Sequence, residues 1–192
     1  MPGYYQIMNY AKSVENISAK DEKGKVINLK KKNNNTWSIV GVRNKSFTIT
    51  YDVKADKKFV ANSYVDITHA YLASAGIFLY ADGYLNIPVY IKIKSGQPWK
   101  NIATGLEPVA GKPDEFTAPD FDILYDCPIL IGNLDELPSF EVNSIKHRFT
   151  GYNTGSFNRA LFMENLKNPV WDNKYNDNID VNNFQYYTRA AG

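Results

Sequence analysis

Side chains able to do metal or nucleophilic chemistry are scarce in this sequence. There are two histidines, His69 and His147, and one cysteine, Cys127. His69 follows Asp66 by three positions, and a histidine beside a carboxylate can pass a proton. No nucleophile or further ligand accompanies the pair, so a hydrogen-bonded structural histidine is expected. His147 stands between Lys146 and Arg148. Two cations disfavour a bound metal there, and a solvated strand position is expected. Cys127 lies beside Asp126. That acid raises a thiol's pKa, so the residue reads as small, buried and unreactive at a strand entrance. Asp120, Asp122 and Asp126 offer oxygens suited to calcium, but the spacing lacks the glycine and bidentate glutamate of an EF-hand. Capping a short helix suits Asp120 and Asp122 better.

A larger grouping is aromatic and acidic. Tyr64, Tyr71, Tyr80 and Tyr84 fall within about twenty residues of one another, with Asp66 and Asp82 among them. Acids pair with an ammonium group, and tyrosine rings give it cation–π contact. Asp66, Tyr71, Tyr80, Asp82 and Tyr84 are therefore candidates to line the amine side of a peptide-binding cleft. The competing reading is a Tyr-rich sheet face, since tyrosine is a common strand former.

What is missing limits function further. No HExxH, GxSxG, Walker A or GxGxxG pattern occurs. A single cysteine allows no disulfide within the chain and no cysteine zinc cluster. With 22 basic and 20 acidic residues, bulk charge gives no reason to expect nucleic-acid binding. Apolar stretches break within about ten residues, too short to span a membrane. Three Asn-x-Ser/Thr matches, at Asn16, Asn34 and Asn44, are discounted, because 21 asparagines produce such matches by chance.

The elements that would position these residues are mostly strands. Phe47, Ile49, Tyr51 and Val53 alternate with polar residues over Ser46 to Val53, the period of a half-buried strand. From Pro88 to Lys94, Val89, Ile91 and Ile93 point one way and Tyr90, Lys92 and Lys94 the other. Thr36 to Val40 and Phe140 to Ile145 are shorter strands on the same pattern. Ile129-Leu130-Ile131 is a continuous apolar run expected of an inner strand. Turns are expected at Asp21 to Lys25, Lys30 to Asn35, Asp82-Gly83, Gly111 to Pro113 and Gly132 to Asp135. One helical turn is expected at Asn9 to Lys12. Thr117 to Asp120 resembles a capping box, opening a short helix from Phe121 to Tyr125. A longer helix is expected from Ser156 to Lys167, with Phe157, Leu161, Phe162 and Leu166 on one stripe and Pro169 as its stop. Beyond it, nine of sixteen residues up to Asn183 are Asn or Asp. Short strands about ten residues apart indicate a mainly β chain, an antiparallel sandwich or saddle followed by a short C-terminal helical segment.

Four stretches in order add a family resemblance: MPGYYQIMNYAKSVENISAKDEKGK with NTWSIV after it, VANSYVDITHAYLASAGIFLY, WKNIATGL, and FTAPDFDILYDCPILIGN. Together they resemble the N-terminal domain of the glycyl-aminopeptidase-like zinc metallopeptidases, bacterial proteins that often carry a PDZ domain. The resemblance covers roughly residues 1 to 167. It implies a β-rich domain at 1–152 that lacks the family's first strands, and at 153–192 the start of a truncated catalytic domain. Zinc would sit in that missing catalytic domain and none in this chain. The implied partners are the catalytic domain and a peptide substrate, with self-association if the chain is a fragment. The implied location is periplasmic or cell-surface, given an upstream signal peptide. The implied role is non-catalytic: shaping the substrate cleft and packing on the catalytic domain. A stand-alone β-sandwich module for peptide or glycan, and a scaffold domain with no small ligand, are the competing functions.

Overall fold

The structure, a computed structural model, describes residues 8–59 and 61–154 and the backbone of a strand at 184–187. A 3-10 turn at Tyr10–Ser13 leads into β1 (Val14–Asp21), β2 (Val26–Ile27), β3 (Leu29–Lys31), β4 (Trp37–Ile39) and β5 (Phe47–Val53). β6 (Tyr64–Val65) and β7 (His69–Leu72) precede α1 (Ser74–Ile77). β8 (Val89–Lys92), β9 (Asn101–Thr104), β10 (Glu107–Val109) and β11 (Lys112–Ala118) precede α2 (Phe121–Asp126). β12 (Ile129–Gly132), β13 (Asp135–Val142), β14 (Ile145–Gly151) and β15 (Phe184–Tyr187) follow. The expected Ser156 to Lys167 helix and the Asn-rich stretch lie outside the described residues.

These strands pair antiparallel in the orders β2-β1-β5, β3-β4, β6-β7-β12-β9, β10-β11-β8 and β13-β14-β15. The mainly β, antiparallel expectation holds. β12 is the inner strand that its apolar run implied, with every residue buried. Register explains why it needs apolar side chains on both faces. Ile129 and Ile131 stand beside Leu72, Ala70 and Ile102, while Leu130 stands between Tyr71 and Ala103. The first set packs with Phe78, Ile93 and Ile102, which also pack on the cluster of Ile91, Phe116, Ala118 and Leu124. Two sheets thus share one core, as in a sandwich. The second set, with Tyr64, forms a separate cluster on the other face.

The alternating segments behave as read. In β5, Ile49, Tyr51 and Val53 are half-buried between exposed Thr48, Thr50 and Asp52, although Phe47 at the strand's start remains 38% exposed. In β8, Ile91 is buried while Tyr90 and Lys92 face out. The Asp21 to Lys25 turn closes through the Asp21 carboxylate, which accepts the N–H groups of Lys23 and Lys25 at 2.9 Å each. The Asp82-Gly83 turn puts Gly83 at φ +80°, a conformation that favours glycine.

Four local expectations need correcting. Phe140 to Ile145 is not one strand but the tip of the β13–β14 hairpin. Val142 pairs with Ile145, and Asn143 and Ser144 between them have φ of 49° and 64°. Those are the dihedral signs of a type I′ turn, which the twist of a hairpin favours. Lys30 to Asn35 is only partly a turn, since Lys30 and Lys31 belong to β3. α2 is capped by Asp120, whose carboxylate accepts the Ile123 N–H at 2.8 Å; Thr117 and Ala118 still belong to β11. His147 is 9% exposed rather than solvated. On a strand, neighbours point to opposite faces, so Lys146 and Arg148 take the exposed side of β14 while His147 and Phe149 share the covered one.

Candidate functional site

The residues singled out in sequence separate into two groups. The first is built on the β6–β7 connection. Asp66 folds this loop around itself: one carboxylate oxygen accepts the N–H of Thr68 at 2.8 Å, the N–H of His69 at 3.0 Å and the Thr68 hydroxyl at 2.6 Å. The other oxygen accepts Lys58 Nζ at 2.7 Å. Burial alone would push this carboxyl up, but the hydrogen bonds from Lys58, Thr68 and His69 together hold it well below the usual carboxylate range. Asp66 is therefore ionised and can only accept. The single Thr68 hydroxyl proton goes to Asp66, so Thr68 Oγ1 accepts from His69 Nδ1, 2.9 Å away. That leaves Nε2 to accept the Tyr64 hydroxyl proton at 2.8 Å. Tyr152 stacks on the imidazole, ring centroids 4.1 Å apart. Burial pushes the imidazole's pKa down, against a smaller upward pull from Asp66 and with a slight downward push from Lys58.

Both ring nitrogens of His69 and both oxygens of Asp66 are engaged, and His69 is 5% exposed. Tyr71 is also inside, 6% exposed, packed with Tyr64, Ala73, Ala103 and Leu130. Its exposed rim is small: Val65 and Ile67 project beside Asp66 at 53% and 87% exposure.

The second group is open. Residues 80–88 are exposed throughout and carry Tyr80, Asp82, Tyr84, Leu85 and Ile87. The segment is tied down by the Phe121 N–H, which donates to the Leu85 carbonyl at 2.9 Å, and by the Tyr80 ring on Phe121, centroids 5.1 Å apart. α2 adds exposed Ile123 and the carboxylates of Asp122 and Asp126. Their charge is felt at Tyr125, whose hydroxyl is pushed up by Asp122 first, then by burial and Asp126. Leu85, Ile87 and Ile123 were not singled out in sequence. The signal was present in principle, because two apolar residues in a Gly- and Asn-containing loop have no strand or helix face to bury them.

Among the described residues no three His, Cys, Asp or Glu side chains come together as a metal-holding group. Cys127 is half-buried at the C-terminus of α2, its thiol pushed up by burial and by Asp126. Asp120 is spent on its helix cap. The described residues do not fit a catalytic zinc, which needs three protein ligands and an open position.

The family model of the Peptidase M61 N-terminal domain matches residues 1–133. The chain belongs to the Peptidase M61 N-terminal domain family. The PGYY, WKNIATGL and DFDILYDCPILIG stretches all fall inside the matched span, so the metallopeptidase resemblance read from them is borne out. A solved structure is also similar: an aminopeptidase N family protein from Idiomarina loihiensis, at 25% identity and a TM-score of 0.70. The match covers 78% of this chain and 26% of that one, so this M61 domain spans about a quarter of that relative's length. No curated protein matches.

Proposed function

We propose that this chain is the non-catalytic N-terminal domain of a zinc aminopeptidase-like metallopeptidase, packed on a catalytic domain whose cleft it helps to shape. The domain ends near Tyr152 in this reading, and zinc is held by the catalytic domain. Family membership and the aminopeptidase N family neighbour support the peptidase context. The observation that carries the packing role is the exposed face of Tyr80, Tyr84, Leu85, Ile87 and Ile123, from 44% to 61% exposed. Contiguous exposed apolar groups rimmed by polar ones mark interaction surfaces. Here the rim is acidic, with Asp82, Asp122 and Asp126. Where that rim meets the cleft, it would attract a substrate's terminal ammonium, and Tyr80 and Tyr84 would contact it.

The test uses the chain and the catalytic domain of the same enzyme, produced separately. Ile87→Asp should weaken their association at least tenfold without changing the chain's melting temperature, since Ile87 is already half in solvent. Unchanged affinity would remove this face from the interface. Binding of free peptide or glycan to the Tyr84 face, with no affinity for the catalytic domain, would favour the stand-alone module.

A further inference from the structure

We infer that the N-terminal sheets form a docking surface for an anionic lipid membrane. The near-neutral total hides a strong asymmetry. Between positions 20 and 46 lie seven lysines and Arg43 against only Asp21 and Glu22, a net of +6 where the whole chain carries +2. Residues 113–145 are the reverse, with eight acids and no cation. All eight N-terminal cations are exposed, and none has an ion-pair partner among the described residues. The first acid, Asp21, is occupied by its own turn.

Strand pairing gathers these charges. Asp21 stands opposite Phe47, so the segment entering β5 with Arg43 and Lys45 lies at the same end of the sheet as the Lys23 and Lys25 turn. Lys20 stands opposite both Val26 and Thr48, in one cross-strand row. β3 follows β2 after a single residue and brings Lys30, Lys31 and Lys32. Apolar side chains are interleaved with the charges: Val26 is 70% exposed on edge strand β2, and Val40 is 83% exposed just beyond β4.

This combination fits a lipid surface better than a nucleic acid. Seven of the eight cations are lysines, mobile point charges suited to a diffuse layer of phosphates, whereas arginine forks serve bidentate recognition. Of the two aromatics here, Trp37 is half-buried with Lys31 Nζ over its ring at 5.5 Å, and Phe47, 38% exposed, is a single ring beside the valines that can enter an acyl boundary with them rather than a row of stacking platforms for bases. Exposed valines between lysines can enter the acyl boundary while the lysines hold headgroups. The acidic segment, repelled by the same membrane, would favour an orientation facing away from it.

The test is co-sedimentation of the full chain with vesicles of phosphatidylcholine containing phosphatidylglycerol, and with phosphatidylcholine alone. Binding is expected only to the anionic vesicles, and should disappear when salt rises from about 0.02 M to about 0.5 M as charges are screened. Lys23→Glu/Lys25→Glu/Lys45→Glu should lower partitioning about ten-thousandfold, at about fivefold for each of the three positive charges removed and about fivefold again for each reversal. Val26→Asp should lower it further, while both variants keep the parent melting temperature. Equal binding to neutral vesicles, no binding to either, or unchanged binding by the triple variant would overturn the inference. So would tight binding to heparin or duplex DNA with none to vesicles.

Discussion

The Tyr64 hydroxyl and Nε2 of His69 meet at 2.8 Å, within a chain of hydrogen bonds that ends on the ionised carboxylate of Asp66. The chain fixes the neutral imidazole with its proton on Nδ1. It also joins two sheets, because Tyr152, just beyond β14, stacks on a ring carried by β7.

This geometry sets a pH dependence. Burial pulls the His69 pKa below its ordinary 6.5, so the unfolded chain binds that proton more readily than the folded one. Stability from this group is full above pH 6.5 and should fall as pH drops through that value, levelling off below the lower folded pKa. Asp66 acts in a separate window: its folded pKa is depressed, so its contribution is present above about pH 4 and lost as pH falls further. Melting curves from pH 8 to 5 should show the histidine limb, and His69→Gln should flatten it. A wild-type melting temperature constant across that range would contradict the account.

α2 should be sensitive on one face only. Leu124 is 1% exposed and Ile123 is 44% exposed. Leu124→Ala should cost about 2 to 5 kcal/mol, through lost transfer energy and the cavity left behind. Ile123→Ala should stay within about 0.5 kcal/mol. Urea unfolding of the two variants makes the comparison, and equal losses would place α2 wrongly against the core.

Removing the cap of the same helix should cost less. Asp120→Ala loses the acceptor for the Ile123 N–H and is expected to destabilise by about 1 kcal/mol. Asp120→Asn should recover most of it, because the amide oxygen can still accept. Equal losses in both variants would mean that charge, not the cap bond, is what matters.

Gly76 is required for packing. A Cβ there would lie 2.8 Å from Cδ1 of Tyr10, whose hydroxyl donates to the Ala61 carbonyl at 2.8 Å. Gly76→Ala should displace the ring and lower the melting temperature, and Tyr10→Leu in the same chain should leave little further loss. Additive losses would show that the two positions are not coupled.

Alternation made β5 and β8 legible in sequence, and an unbroken apolar run made the inner strand β12 legible, because burial on one face or on both enforces each pattern. His147 escaped the same logic because its neighbours were read along the chain, where they are cations. Across the sheet they point away. The β13–β14 turn was missed because Asn143-Ser144 lacks the glycine that usually marks such turns. Asp66, Tyr71, Tyr80, Asp82 and Tyr84 looked like one cluster because they are close in sequence. The buried β6–β7 hairpin holds the first two, and the exposed segment beside α2 holds the other three. Tyr152 gave no signal at all, since its contact with His69 spans the chain and depends on sheet order.

The central claim is that the face of Tyr80 to Ile87 and α2 is covered by the catalytic domain. Hydrogen exchange on the isolated chain and on the full-length enzyme tests it directly. In the enzyme, amides of residues 80–88 and 121–126 should exchange at least tenfold more slowly than in the chain alone, while β12, already inner in both, changes little. Identical exchange of residues 80–88 and 121–126 in the two contexts would contradict the claim.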